Sequence, residues 1–484
     1  MAEKKSLKLN FIMNAILTMS SFLFPLISFP YVSRILGPEG TGKVSFATSL
    51  IDYFVMFAQL GVPTYGLRAC AKVRDDKRKL TKTAQELLII NLVMTAIAYA
   101  VLFGALIFVP RLRGERTLYL VISTSILCTT IGMEWLYKAL EQYTYIAIRS
   151  IAFKVVSLVA MFLLVHAEGD YVIYGGISIF ASSASFIWNF IHVRKYISLR
   201  PVGGYEFKPH LKAVMIFFAM SCATTIYTNL DTVLLGFMDT DVTVGYYNAA
   251  VRIKKILVGI VTSLGTVLLP RAAYYVEHKL MDEFRSISRK ALNFVMVAAT
   301  PMMLYFILFA RDGIFLLSGS EYAGSILPMQ LAMPTLLFIG LSNILGIQIL
   351  VPMGKETAVL LSIIVGAVVD LVLNIALIPS YGAVGAAAAN MAAEAAVTAV
   401  QFVILRKEVM PSMAKIQYWK IGAALLAGVG ASFWVAGLGF GSFVSLLLSA
   451  VLFFGAYGVV LLVTKERLTG EVLNQMLRKF LKKR

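Results

Sequence analysis

Apolar segments about as long as a lipid bilayer is thick recur from one end of the chain to the other. A helix needs about 20 apolar residues to cross the hydrocarbon core. About fourteen segments meet that requirement, with approximate limits 11–33, 44–63, 87–109, 118–138, 150–165, 171–191, 213–236, 247–270, 291–310, 326–350, 358–378, 383–405, 419–437 and 442–463. Hydrophobic residues are 59% of the 484 and charged residues 14%, which excludes a water-soluble core. The sequence predicts an all-α integral membrane protein.

The basic residues are concentrated in four segments. With fourteen spans, these four segments and both termini lie on the same side of the membrane. These segments are 64–86, 192–212, 271–290 and 465–484. The positive-inside rule therefore predicts that the N- and C-termini are cytoplasmic. Topology and contact with anionic membrane lipid then account for the net charge of +18. No nucleic-acid partner is predicted.

An internal repeat indicates how the spans are grouped. At a shift of 203 residues Gly42 aligns with Gly245, and the pair Arg68-Ala69 aligns with Arg271-Ala272. Spans 1 to 6 then repeat as spans 7 to 12 in the same orientation, as in transporters built from parallel repeats. We expect two pseudo-symmetric six-helix lobes followed by two additional helices. The predicted divisions are 1–200, 201–410, 411–464 and 465–484.

Polar side chains inside the spans are the first functional candidates, because ionisable groups in a membrane usually face a wet interior. In span 8, Arg252 and Lys255 lie a helical turn apart on one face. Spans 1, 2 and 7 carry polar stripes, which are Asn14, Thr18, Ser21 and Ser28; Ser45, Thr48, Asp52 and Gln59; and Ser221, Thr224, Thr228 and Asp231. We predict that spans 1, 2, 7 and 8 line a hydrophilic cavity. The alternative is that the hydroxyls join helices and the lysines reach a surface.

Such a cavity suits an anionic glycolipid. Arginine and lysine form charge-assisted hydrogen bonds with phosphate, while hydroxyls and carboxamides match sugar hydroxyls. The predicted head-group residues are Arg252, Lys255, Asp52, Asp231, Asn14 and Thr228. Asp52 and Lys255 have opposite charges at equivalent positions of the repeat, so they are a hypothetical gate pair.

Other ionisable residues in the spans leave several roles open. Glu134 and Lys154 could line the cavity, act in a gate or pair with another charge. Asp370 and Asn374, one turn apart, could supply oxygen ligands to a coupling sodium ion. The three cysteines have no C-x-x-C spacing and no neighbouring histidines, so no structural metal or cofactor is predicted.

An enzyme is not predicted. Residues 37–44 come close to a nucleotide-binding P-loop, but Val44 replaces the hydroxyl residue and a membrane helix precedes the segment instead of a strand. The histidines do not fall into a motif with a nucleophile or metal ligands. The longest expected external segment, 311–325, is too short to hold an acceptor and catalytic groups. A scaffolding role remains an alternative to transport.

Motifs along nearly the whole chain resemble those of bacterial polysaccharide flippases in the multidrug/oligosaccharidyl-lipid/polysaccharide exporter superfamily. The turn at 34–40, with the sequence RILGPEG, resembles the first signature and includes Arg34 and Glu39. Later matches are EWLY at 134–137, GYYNAA at 245–250 and YGAVGA at 381–386. The resemblance implies lobes that alternate between inward- and outward-open states, and a groove on spans 13 and 14 for a lipid tail.

The resemblance also implies the substrate, the location and the alternatives. The expected substrate is an undecaprenyl-pyrophosphate-linked oligosaccharide of an O-antigen, capsule or exopolysaccharide, moved across the bacterial cytoplasmic membrane. Coupling to sodium, protons or membrane potential is left open. Peptidoglycan-precursor flippases and drug antiporters of the superfamily are the alternatives. The segment 465–484 is predicted to form a basic amphipathic helix on the inner membrane surface, where assembly proteins are hypothetical partners.

Overall fold

The computed structural model describes residues 7–466 and 469–470. All regular secondary structure in this part of the chain is helical. This is what the apolar segments require, because a backbone in lipid must satisfy its own amides and carbonyls. The chain divides into two compact units that meet in sequence between Gly245 and Tyr246. The predicted lobe boundaries follow the repeat instead and stay a prediction.

The first unit is built around a long helix that is broken in its middle. Its helices are α1 (Leu7–Gln59), α2 (Val62–Lys72), α3 (Lys77–Phe108), α4 (Pro110–Arg113), α5 (Arg116–Gly132), α6 (Glu134–Ala139), α7 (Tyr143–Leu164), α8 (Tyr171–Ile179), α9 (Ser185–His192) and α10 (Lys208–Met238). Helix α1 packs against α3, α5, α7, α8 and α10. The next helix, α11 (Asp241–Glu277), continues into the second unit.

The second unit contains the remaining helices. They are α12 (Met281–Leu308), α13 (Ala310–Ser318), α14 (Ile326–Ala332), α15 (Thr335–Ser342), α16 (Glu356–Met413), α17 (Tyr418–Ser432) and α18 (Ser442–Val463). Helices α17 and α18 pack on each other and on α12, where the Tyr457 hydroxyl donates to the Val297 carbonyl at 2.8 Å. An exposed apolar stripe runs along one face of α18, as expected of a surface that faces lipid. It consists of residues at a spacing of four, namely Phe443, Leu447 and Val451.

The expected number of membrane crossings is confirmed. Within the described part of the chain, ten helices are long and apolar enough to cross a membrane, and two bent helix pairs also qualify. Helices α1 and α16 each contain two arms of crossing length, separated at Gly37 (φ 61°) and Gly382 (φ 51°). Counting these arms separately gives the predicted fourteen crossings. Glycine is favoured at both breaks because this left-handed region is costly for other residues.

Two spans that the sequence analysis treated as continuous are bent. Span 8 bends by 41° between Ser263 and Leu268, and span 10 bends by 42° between Ala332 and Thr335. Pro334 accounts for the second bend, because proline removes a helical hydrogen bond. The predicted tail helix at 465–484 lies almost wholly outside the described residues.

Candidate functional site

A polar cavity of about 260 Å³ lies in the first unit between the second arm of α1 and α10. Its lining consists of Asp52, Val55, Met56, Gln59, Gly61, Pro63, Ser221, Thr225 and Asn229. Close packing occurs on either side of it. A side chain at Gly61 would strike the backbone of α10 at Phe217 and Phe218, and one at Gly236 would strike the Phe46 ring. The two helices therefore touch closely at two places and leave polar space between them.

The hydroxyls of α10 divide into two groups. Thr224 and Thr228 each donate to a carbonyl of their own helix, at 3.0 Å, to Met220 and Thr224 respectively. The side chains of Ser221, Thr225 and Asn229 have no hydrogen-bond partner among the described residues, and all three line the cavity. The polar stripe facing the cavity therefore has the spacing i, i+4, i+8.

The structure places the predicted head-group residues of the first unit at different sites. Asp52 lines the cavity, whereas Thr228 is exposed outside its lining and Asp231 is buried near the end of α10. Asn14 lies on the first arm of α1 and is exposed. Sequence analysis did not single out Thr225 and Asn229, although both lie at helical spacing from Ser221.

In the second unit, the cations of α11 have different surroundings. Lys254 is buried, and its Nζ donates to Asn390 Oδ1 of α16 at 2.7 Å. Arg252 is half-buried and Lys255 is exposed. Lys254 thus forms a structural contact within the second unit. The positions of the cations in the sequence did not predict this contact.

Lys154 contacts the first arm of α1. Its Nζ donates to the hydroxyls of Ser20 and Ser21, both at 3.0 Å. This contact joins α7 to α1 and gives Lys154 a structural role beside the predicted gate or cavity role.

Glu134 belongs to a buried ion network. Its two oxygens lie 2.7 Å from Lys138 Nζ and 3.2 Å from Arg149 Nη2. Arg149 also donates to Asn189 Oδ1, and Asn189 Nδ2 donates to the Gly132 carbonyl at 2.9 Å. The network joins the short helix α6 to α5, α7 and α9. The EWLY segment at 134–137, which resembles a flippase motif, therefore lies on a helix that is held by contacts with three others.

The turn at Gly37 carries the other two predicted motif residues. Glu39 pairs with Lys43 at 3.0 Å, and Lys43 also pairs with Glu115 at 3.0 Å. Arg34 is exposed, and its Nη1 donates to the Pro30 carbonyl at 2.5 Å. The turn is therefore rimmed by charges, as the sequence suggested.

Asp370 and Asn374 are fully buried in the first arm of α16. Asn374 Nδ2 donates to Asp370 Oδ1 at 3.1 Å and to its carbonyl at 2.9 Å. Their oxygens are of the kind that sodium prefers. Among the described residues, no group of three or more histidine, cysteine or acidic side chains could hold a metal ion. The role of this pair in ion coupling stays a prediction.

Comparison with known proteins identifies similar chains over most of the length. Residues 7–276 match a family described as "Polysaccharide biosynthesis protein". The chain is 24% identical to a putative O-antigen transporter of Escherichia coli (strain K12) over 411 residues, which are 84% of this chain and 98% of that one. It is 26% identical to a putative O-antigen transporter of Shigella dysenteriae over 390 residues, 79% and 94% of the two chains.

The fold is also similar to a solved structure. The lipid II flippase MurJ in its inward closed conformation gives a TM-score of 0.72 at 15% identity, covering 94% of this chain and 100% of that one. At this identity the similarity concerns the fold alone. The fold is thus one that a lipid II flippase also adopts.

Proposed function

The chain belongs to the polysaccharide biosynthesis protein family, and we propose that it flips a lipid-linked oligosaccharide across the bacterial inner membrane. The substrate class is an undecaprenyl-pyrophosphate-linked repeat unit of an O-antigen, capsule or exopolysaccharide. The observation that carries the proposal is the polar cavity between α1 and α10, since helices that cross lipid rarely keep uncommitted polar groups inside. We propose that the chain acts as a transporter and not as an enzyme.

The two chemical parts of the substrate need different surroundings. Pyrophosphate carries charge that must be compensated when it leaves water, and arginine and lysine do this through charge-assisted hydrogen bonds. Arg252 and Lys255 of α11 are the proposed anion site. The polyprenyl tail stays in lipid, against apolar surface such as the exposed stripe on α18.

Movement across the membrane is proposed to follow alternating access, in which the site is open to one side at a time. The similarity to an inward closed flippase supports a fold that can adopt such states. Asp52 and Lys255 are proposed as a gate pair, and Asp370 with Asn374 as ligands of a coupling sodium ion. Coupling to protons or to the membrane potential is the alternative.

The proposed orientation places both termini in the cytoplasm, because the basic segments then lie inside. The basic segment 465–484 is proposed to contact anionic lipid, and polysaccharide polymerase or other assembly proteins are proposed partners. The lobe divisions at 200 and 410 are proposed as the units of the internal repeat.

A peptidoglycan-precursor flippase is the second candidate, and a fold similar to that of MurJ, at a TM-score of 0.72, is compatible with it. The curated relatives, which are named as putative O-antigen transporters and match at higher identity, favour the oligosaccharide substrate. A drug antiporter has no comparable support among these relatives.

The test of the anion site uses purified protein in liposomes with a fluorescent polyprenyl-pyrophosphate oligosaccharide. Movement between leaflets is measured as the fraction of fluorophore that a membrane-impermeant quencher cannot reach. We expect Arg252→Ala and Lys255→Ala to slow movement at least tenfold. Arg285→Ala, whose guanidinium forms an exposed pair with Asp282 at 3.6 Å, is the control and should leave the rate unchanged. Equal rates in all variants would remove Arg252 and Lys255 from the site.

A further inference from the structure

We propose that the cavity between α1 and α10 is a subsite for a sugar ring of the glycan, and that Gln59, Thr225 and Asn229 help to select which glycan is moved. This inference rests on the proposed function and adds to it. It assigns the glycan to the first unit and separates it from the cations that we propose for the pyrophosphate.

The lining has hydrogen-bonding capacity that the protein itself does not use. A hydroxyl offers one donor and two acceptors, and a carboxamide offers two donors and an acceptor oxygen. Ser221, Thr225 and Asn229 have no partner among the described residues. These groups lie along one face of α10, and each of them can both donate and accept hydrogen bonds. Sugar hydroxyls and acetamido groups, which are both donors and acceptors, match such a row.

Gln59 faces this row from α1 and is held in place. Its Nε2 donates to the Thr130 hydroxyl at 3.3 Å. Thr130 in turn contacts the Thr95 hydroxyl at 2.7 Å and donates to the Ile126 carbonyl at 3.0 Å. Because this network fixes the amide, the Oε1 acceptor has a defined direction before a ligand binds. Preorganisation of this kind reduces the entropy cost of binding.

The charge of the lining argues against the pyrophosphate as occupant. None of the nine lining residues is a lysine or arginine, and the one ionisable side chain is Asp52, which repels an anion. A neutral sugar meets no such repulsion, and an amino sugar would be attracted. The pyrophosphate therefore belongs at a different place from the sugar that occupies this cavity.

The size and the apolar walls suit a single ring. Ligand pockets usually measure about 300–1,000 Å³, so a cavity of about 260 Å³ takes only a small part of a repeat unit. Val55, Met56 and Pro63 supply apolar surface for the carbon face of a sugar or for an acetamido methyl group. A few polar groups on an apolar wall are the usual composition of a specific site.

Two threonines provide a matched pair of variants. Thr225→Val removes a hydroxyl that lines the cavity, while Thr124→Val in α5 removes one that is exposed and bonded to the Val121 carbonyl of its own helix at 2.7 Å. Both changes nearly preserve the side-chain shape. Asn229→Leu removes the carboxamide, and Thr225→Ser restores the hydroxyl in a different side chain. Thermal unfolding of each purified variant in detergent checks its fold.

The experiment compares two kinds of fluorescent polyprenyl-pyrophosphate probe with the full-length protein in lipid nanodiscs and liposomes. One kind carries a disaccharide, of hexose or of N-acetylhexosamine, and the other carries no sugar. The sugar probe that the wild type moves is used for the binding measurements. We expect Thr225→Val and Asn229→Leu each to weaken binding of this probe about three- to tenfold, because each variant loses one hydrogen bond to the sugar. Binding of the sugar-free probe should change less than about twofold. Thr124→Val and Thr225→Ser should behave like the wild type.

Two other outcomes would overturn the inference. If Thr225→Val and Asn229→Leu weaken both kinds of probe equally, or neither kind, the cavity does not select the sugar, although wild-type movement would leave the proposed function intact. If the wild type moves none of the sugar probes, the proposed function fails and the inference fails with it.

Discussion

The Nε2 atom of His210 lies 2.8 Å from the Oε2 atom of Glu86, which ties the start of α10 to the start of α3. The other ring nitrogen of His210, Nδ1, lies 2.8 Å from the Tyr65 hydroxyl of α2. The second carboxylate oxygen of Glu86 accepts a hydrogen bond from the Glu206 amide at 2.8 Å. One imidazole thus connects α2, α3 and α10 near the start of α10, on the N-terminal side of its cavity-lining residues.

We expect His210→Ala to destabilise the protein, because the Oε2 atom of the buried Glu86 carboxylate would lose its hydrogen-bond partner. Leaving a buried polar group unsatisfied costs about 1–3 kcal/mol. Thermal unfolding in detergent measures the effect. His278→Ala is the control, since His278 is exposed and its Nδ1 lies 2.9 Å from the Tyr274 carbonyl of α11, four residues earlier in the chain. An equal loss of stability in both variants would show that the contact with Glu86 is not special.

Arg149→Ala is expected to destabilise the first unit more than Lys138→Ala. Both cations pair with Glu134, but the Arg149 side chain is 4% exposed and that of Lys138 is 39% exposed. Removing one member of a buried pair costs about 3–5 kcal/mol, whereas an exposed pair contributes about 0–1 kcal/mol. The midpoints of unfolding of the two variants should differ clearly. Equal midpoints would contradict the structural role assigned to Arg149.

Gly42→Ala and Gly245→Ala should each destabilise the protein by about 1–3 kcal/mol, the usual cost of overpacking. A side chain at Gly42 would strike the backbone at Asp241, and one at Gly245 would strike the backbone at Pro38. Gly104→Ala in α3 is the control, because no atom lies within 4 Å of the added carbon. This control should be neutral or slightly stabilising, since alanine favours a helix by up to about 1 kcal/mol over glycine. Stable Gly42→Ala protein would mean that the two backbones do not stay this close.

The hypothetical gate pair predicts a charge-reversal pattern. Asp52→Lys and Lys255→Asp should each reduce transport in liposomes, because each places like charges at the two positions. The double variant restores opposite charges and should therefore be faster than either single variant, while it stays slower than the wild type because the cation proposed for the pyrophosphate is lost at position 255. Continued inactivity of a folded double variant would count against a pair between Asp52 and Lys255.

The positions of the helices follow from the sequence because each crossing needs a long apolar segment, and the expected fourteen crossings are present. The rotation of a helix is harder to predict. On α10 the sets Ser221-Thr224-Thr228 and Ser221-Thr225-Asn229 are both compatible with helical spacing. Only the packing against α1, and the hydrogen bonds of Thr224 and Thr228 to their own backbone, place the second set at the cavity.

Contacts between residues distant in sequence were also outside the reach of pattern analysis. The segment 192–212 was recognised only as basic and cytoplasmic. In the structure Gln85 Nε2 donates to the carbonyls of Ser198 and Arg200, at 2.7 and 2.8 Å. These partners lie more than a hundred residues apart in the chain, and neither periodicity nor composition pairs them.

The most direct measurement is the initial rate at which a fluorescent polyprenyl-pyrophosphate oligosaccharide changes leaflets, in liposomes with and without the wild-type protein. The account predicts movement well above the protein-free rate, and inhibition by an excess of the unlabelled lipid-linked glycan. A rate equal to that of protein-free liposomes, for every glycan offered and with sodium and proton gradients of either direction, would contradict the assignment as an oligosaccharide flippase.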